Sequence, residues 1–244
     1  MKIRVLSRKS DLAIIQAYEF GDYFKDKYPE IEIEYLTKTT SGDKDLTTPL
    51  SEMPSEGVFT NDLRNELINN KCDLIVHSWK DLPIEVGKRT IISSTLKRSD
   101  KRDILFLKKD RFYNGHSISI LCSSPRRKYN IESFAKNFLP TKYNNINFEN
   151  IRGNIPTRFK KFINSNNDGF IVAKAAIDRI LLNQIPQFQE LKKEINKYID
   201  KCFWTVVPLS INPCSPGQGA LAIETKIDAK DLNSILSKIN FKND

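Results

Sequence analysis

Histidine and methionine occur only twice each among the 244 residues, and cysteine four times. Cys72, Cys122, Cys202 and Cys214 are far apart with no CxxC pair, so neither a zinc knuckle nor a disulfide framework is encoded. They read as reduced thiols, which predicts a cytoplasmic protein. No apolar run approaches the roughly 18 residues of a membrane-spanning helix, and Met1 to Ser7 is too short for the apolar core of a signal peptide. The phosphate-cradling GxxxxGKS/T, the zinc-binding HExxH and the nucleophile elbow GxSxG are all missing, which removes the motif-based case for those three classes of hydrolase. Gly217 to Ala222 fits GxGxxA but opens a strand, whereas a dinucleotide fingerprint joins a strand to a helix. His77 closes an apolar strand and reads as structural, His116 falls in a loop, and Trp79 and Trp204 read as packing residues.

What is present is charge: 39 Lys and Arg against 30 Asp and Glu, a formal +9 with pI near 9.3. This favours an anionic partner, whether nucleic acid, a membrane surface or a small polyacid. Because acids are interleaved with the bases around residues 97 to 111, the nucleic-acid reading is weak. Hydrophobic residues make up 39%, enough for packed cores.

Lys2 to Ser7 reads as a strand, Ser10 as an N-cap, and Ala13, Ala17, Phe20 and Phe24 as one helical stripe. Ile31 to Thr39 alternates as a strand, and a polar loop leads to a helix facing inward through Phe59, Leu63 and Leu67. Asp73 to Ser78 and Thr90 to Leu96 are further strands, which predicts a mostly parallel α/β sheet. The charged run Lys97 to Asp103 is an expected crossing into a second unit. There Ser117 to Ser123, Phe148 to Ile151 and Gly169 to Ala173 are strands, with helix faces at Ile131/Phe134, Ile155/Phe159/Phe162 and Leu191/Ile195/Tyr198. The strand from Ala220 and the helix carrying Leu232 to Ile239 are expected to return to the first unit. The expected division is residues 1–97 with 218–244 in one lobe and 98–217 in the other, hinged about a cleft.

Ligands of open parallel sheets bind beyond the carboxyl ends of strands. Those positions here are basic and hydroxylic: Arg8 and Ser10; Ser78, Lys80 and Asp81; Ser123, Ser124, Arg126 and Arg127; Arg152, Gly153 and Asn154. A single arginine is ordinarily a solvated surface charge, but recurrence at successive strand ends predicts a site for a ligand with several carboxylates. Asp81 is the odd acid in this setting, either a salt-bridge partner or a carboxylate that stabilises a developing cation and moves protons.

Taken in order, Ser7-Arg8-Lys9-Ser10-Asp11-Leu12-Ala13, Thr40-Ser41-Gly42-Asp43, Val76-His77-Ser78-Trp79-Lys80-Asp81-Leu82-Pro83, Ser123-Ser124-Pro125-Arg126-Arg127, Ile151-Arg152-Gly153-Asn154-Ile155-Pro156-Thr157-Arg158 and Pro216-Gly217-Gln218-Gly219-Ala220 resemble the hydroxymethylbilane synthase (porphobilinogen deaminase) family. The resemblance spans nearly all of residues 1 to 224 and implies two α/β lobes of periplasmic-binding-protein type II-like architecture. It implies a transferase of porphyrin and heme biosynthesis that joins four porphobilinogen units on a dipyrromethane cofactor. By resemblance Asp81 is the catalytic carboxylate, and Arg8, Ser10, Ser78, Lys80, Ser123, Ser124, Arg126, Arg127, Arg152, Gly153, Asn154, Arg158, Arg179 and Gln218 bind substrate and cofactor. Phe59 matches the aromatic of the active-site flap.

Some positions depart from the family pattern. The third, α+β domain, whose cysteine anchors the cofactor by a thioether, is expected to be absent, since residue 244 precedes it. Cys214 is weighed as a substitute anchor against a bystander thiol, and the bystander is preferred. Glu52 and Glu56 stand where the flap usually carries lysines, Cys122 replaces a usual threonine, and Pro186 to Lys201 is longer than expected. The alternative readings are a catalytically weak pyrrole-binding relative, or a module whose third domain comes from a partner chain; uroporphyrinogen III synthase is a further candidate partner, and a monomer is expected otherwise. Neither nucleic acid nor membrane is expected as a partner.

Overall fold

The computed structural model describes residues 1–45, 57–84, 87–111, 117–139 and 145–241, without the side chains of 135–138. Glu52, Glu56 and His116 lie outside the described residues. The chain packs as two compact units, residues 1–99 with 216–244 and residues 100–215.

The first unit contains β1 (Lys2–Arg8), α1 (Asp11–Lys25), β2 (Glu32–Lys38), α2 (Ser41–Lys44), α3 (Asn61–Ile68), β3 (Leu74–Ser78) and β4 (Thr90–Thr95). The second contains β5 (Asp103–Lys108), β6 (Ser117–Leu121), α4 (Pro125–Phe138), β7 (Asn145–Glu149), α5 (Ile155–Asn164), β8 (Gly169–Ala173), α6 (Lys174–Leu182), α7 (Gln189–Ile199) and β9 (Cys202–Val207). The chain then returns to the first unit with β10 (Leu221–Lys226) and α8 (Lys230–Lys238).

Each unit is built on a five-stranded sheet, in the orders β2-β1-β3-β10-β4 and β7-β6-β8-β5-β9. Both follow one rule: second, first, third, crossing strand, fourth. The crossing strand, β10 in one sheet and β5 in the other, is antiparallel to both its neighbours, while β1, β2 and β3, like β6, β7 and β8, pair in parallel. This is the periplasmic-binding-protein type II-like architecture, a mixed α/β fold.

Period-two alternation divides each sheet between two cores. Ile3, Val5, Leu74, Val76 and Ile223 face Phe20 and Phe24 of α1 and Leu236 of α8. Leu6 and Ile75 point the other way, onto Leu63 and Leu67 of α3. In the second unit Leu105, Leu107, Ile118, Ile120 and Ile171 pack on Ile131 and Phe134 of α4. Phe106 and Phe170 meet Phe159 of α5 edge-on, with ring centroids 4.9 and 5.3 Å away.

Two strands, β5 and β9, are absent from the sequence-based expectation. Phe59, expected on the inner face of a helix, lies in the turn before α3.

Candidate functional site

Because β1, β2 and β3 run in parallel, their carboxyl ends share one edge of the first sheet. Arg8 ends β1, Thr40 to Asp43 follow β2, and Ser78 ends β3 ahead of the short 3-10 turn Trp79–Asp81. Antiparallel β10 brings its own start to the same edge, with Leu221 opposite Ser78. The backbone N–H of Trp79 donates to the Ala220 carbonyl at 3.0 Å, and Arg98 Nε donates to the Gln218 carbonyl at 2.8 Å, so the glycine-rich turn and the 79–81 turn are held together. Gln218 is buried at 1% exposure. Ser78 Oγ pairs with the Gln16 side chain of α1 (2.8 and 3.0 Å), and Ser10 precedes α1 without a side-chain cap bond.

Half-buried Arg8 lies between two carboxylates. Its Nε and Nη2 donate to Asp43, Nε to Oδ2 at 3.3 Å, while Nη1 lies 3.7 Å from Asp81 Oδ2. The Phe59 ring covers the guanidinium, with 4.2 Å from Cζ to the ring centroid. Burial pulls the Asp43 carboxyl upward, but Arg8 together with the hydroxyl and amide of Thr40 outweighs this and holds it below the usual carboxylate range. Asp81 therefore belongs to a charged group, as its basic setting suggested, and Asp43, quoted only as part of a motif, belongs to it too. The signal for Asp43 was its place after the next parallel strand, one position of the same edge.

The second unit repeats the edge. Ser123 Oγ donates to the Ile151 carbonyl and accepts from the Ile151 amide, both at 2.7 Å, which ties the end of β6 to the end of β7. Ser124 caps α4 by accepting from the Arg127 amide at 3.4 Å, and Asn154 caps α5 by accepting from Thr157 at 2.9 Å. Gly153 takes φ +117, a conformation that favours glycine, and its carbonyl accepts from Arg158 Nε at 2.7 Å. Arg152 is half-buried at the same edge, and Arg179, in the last turn of α6, is buried at 8% exposure.

The two adjacent arginines have structural partners. Arg127 grips buried Asp103 with both Nε (2.9 Å) and Nη2 (2.7 Å). Arg126 reaches the same carboxylate at 3.0 Å and Asn212 Oδ1 at 2.8 Å, and also donates to the Pro213 carbonyl. Burial works against ionising Asp103, but Arg127, Asn212 and Arg126 reverse the balance and hold its carboxyl below the ordinary range. His77, read as structural, donates from Nε2 at 2.8 Å to Glu224, a fully buried carboxylate that also accepts from Arg64 (2.6 Å) and Thr90 (2.6 Å).

A family model described as "Porphobilinogen deaminase, dipyromethane cofactor binding domain" matches residues 3–234. The chain belongs to the porphobilinogen deaminase family. A probable porphobilinogen deaminase of Picrophilus torridus is 36% identical over 242 residues, 98% of this chain and 75% of that protein. The porphobilinogen deaminase of Acetivibrio thermocellus is 38% identical over 184 residues, 75% of this chain and 60% of that protein, and the one of Clostridium novyi 32% over 248 residues, 100% and 75%. The chain thus spans 60 to 75% of the length of these relatives. A probable amino-acid ABC transporter extracellular-binding protein of Bacillus subtilis aligns over 98% of this chain and 90% of its own, with TM-score 0.47 and 10% identity.

The family's dipyrromethane cofactor carries several carboxylates, and the donor chemistry of the second-unit edge fits such a group. Arg152 and Arg158 supply cations and Ser124 a hydroxyl at the carboxyl ends of adjacent strands, while Ser123 is spent on tying those ends together. All four cysteines are thiols: Cys72, Cys122 and Cys202 are buried and Cys214 is half-buried. Burial raises the buried three, Cys72 to about 12 and Cys202 to about 11, which makes them poor nucleophiles. Among the described residues no helix is long and apolar enough to cross a membrane, and no cluster of histidine, cysteine and acids is arranged to hold a metal.

Proposed function

We propose that this chain acts as a hydroxymethylbilane synthase, joining porphobilinogen units head to tail with release of ammonia. The observation that carries the reading is Asp81, half-buried on a basic strand-end edge in a chain of this family. Loss of ammonia from the aminomethyl group leaves positive charge on the substrate pyrrole, and a fixed carboxylate stabilises that charge where bulk water would have to reorganise. Asp81 also accepts and returns the proton that moves as the new carbon–carbon bond forms. In the second unit Arg152, Arg158 and Arg179, with Ser124, are the groups that hold acetate and propionate carboxylates by charge-assisted hydrogen bonds. In the first unit Lys80, exposed beside Asp81, is a cation suited to substrate carboxylates. The dipyrromethane, when bound, supplies the pyrrole end that is extended; Cys214 is read as a bystander thiol in preference to its covalent anchor. A cytoplasmic setting fits four reduced cysteines.

The test is to incubate the purified chain with porphobilinogen, following ammonia release and the absorbance of porphyrin formed on acid oxidation. Wild type is expected to turn over, and Asp81→Ala to lose about 100-fold or more of the rate with its circular dichroism unchanged. Normal turnover by that variant removes Asp81 from the chemistry. Silence from folded wild type points to a pyrrole-binding module or one that needs a partner chain.

A further inference from the structure

We propose that Asp43 is a positioning residue for Asp81, acting through Arg8; the inference rests on the reading of Asp81 given above. A guanidinium presents five N–H donors in one rigid plane, so a carboxylate that takes two of its nitrogens fixes where the third points. Asp43 takes Nε and Nη2, and what remains, Nη1, is directed toward Asp81. Phe59 lies against the guanidinium and resists its rotation. Asp43 is itself fixed, because its Oδ2 accepts from the Thr40 amide at 3.1 Å and the Thr40 hydroxyl at 2.8 Å.

Asp43 and Asp81 share this one guanidinium, and Asp43 holds it by the closer contacts, two nitrogens against a single approach of 3.7 Å on the Asp81 side. The device is built into the surrounding turn. Gly42 donates its N–H to the Val58 carbonyl at 3.1 Å, and a Cβ on it would fall 2.4 Å from the Phe59 ring. The Ser41 amide and hydroxyl both donate to Asp62 Oδ2 at 2.7 Å. Residues 41–43 and 57–62 therefore form one bonded base, and it carries both groups that orient Arg8.

The experiment measures steady-state ammonia release from porphobilinogen for wild type, Asp43→Asn, Asp43→Glu, Arg8→Ala and the double variant Asp43→Asn/Arg8→Ala, with a thermal melt of each. Asp43→Asn is expected to lower kcat about tenfold with KM moved less than about threefold, since misorientation of a catalytic group acts on the chemical step. Asp43→Glu should recover part of the loss. The double variant should match Arg8→Ala within about twofold, because two residues acting through one contact are not additive. Any other pattern overturns the inference, including an unchanged kcat or a loss confined to KM. If Asp43→Asn does not fold, Asp43→Glu is read instead, with a drop of about threefold or more as the expected result. Wild type without turnover overturns the proposed activity of this chain and this inference with it; active wild type with an unaltered Asp43→Asn overturns this inference alone.

Discussion

Arg126 and Arg127 are neighbours in sequence, yet their side chains are 26% and 11% exposed around a carboxylate that is 0% exposed. Asp103 cannot remain ionised there without cations, so removing one partner leaves a buried charge uncompensated. Arg127→Ala, which deletes the two-nitrogen grip, is expected to cost about 3 kcal/mol of stability in urea denaturation. Arg152→Ala is expected to do the opposite, weakening porphobilinogen binding about tenfold by calorimetric titration while shifting stability by less than about 1 kcal/mol. Equal effects of both substitutions in both measurements would show that the two arginines share one role. The sequence makes these cations look alike, because what separates them is a partner 24 residues from Arg127, on β5. Strand-end position was enough to bring Arg8, Asp81, Ser123 and Arg152 to the edges of the sheets. It could not show that Arg8 and Arg127 would spend their donors on Asp43 and Asp103.

At the scale of elements, legibility followed amphipathicity. The stripe of Ala13, Ala17, Phe20 and Phe24 made α1 plain, and all four are buried. Strand β5 was missed because every residue of it is buried, so nothing alternates, and its four apolar residues sit between charged ends that read as a linker. Edge strand β9 was missed for another reason: Phe203 and Trp204 are consecutive and both exposed, which breaks period two. The turn Pro216 to Gly219 was legible by its glycines, and the structure shows what they permit. Gly217 takes φ +67, and a Cβ there would lie 3.0 Å from the Trp79 side chain. Gly217→Ala is therefore expected to cost about 1–2 kcal/mol and to move the 79–81 turn that carries Asp81. The checks are the unfolding midpoint, the tryptophan emission maximum and kcat. A variant with unchanged emission and full kcat would separate that turn from the placement of Asp81.

Over the whole molecule, the carboxylates held by cations and hydrogen bonds set the response to acid. Asp43 and Glu224 in the first unit and Asp103 in the second all have carboxyls held below their ordinary range, in each case because cationic and hydrogen-bonding neighbours outweigh burial. A carboxylate whose pKa is lower folded than unfolded binds fewer protons in the native state over the intervening range. The stability it contributes is then fully present above the unfolded value, about 4, and is lost as pH falls through the folded one. Both units carry such groups, so both lose support in the same window, and the melting temperature should fall steeply below about pH 4. Glu224→Gln isolates one contribution. The amide keeps the shape of the contact with Arg64, His77 and Thr90 but not the charge, so the variant should melt below wild type at pH 7. Acid protonates Glu224 in wild type and removes the same charge, so the difference between the two melting temperatures should shrink steadily from pH 5 to pH 3. A difference that stays constant over that range would mean that the network uses the shape of Glu224 and not its ionisation.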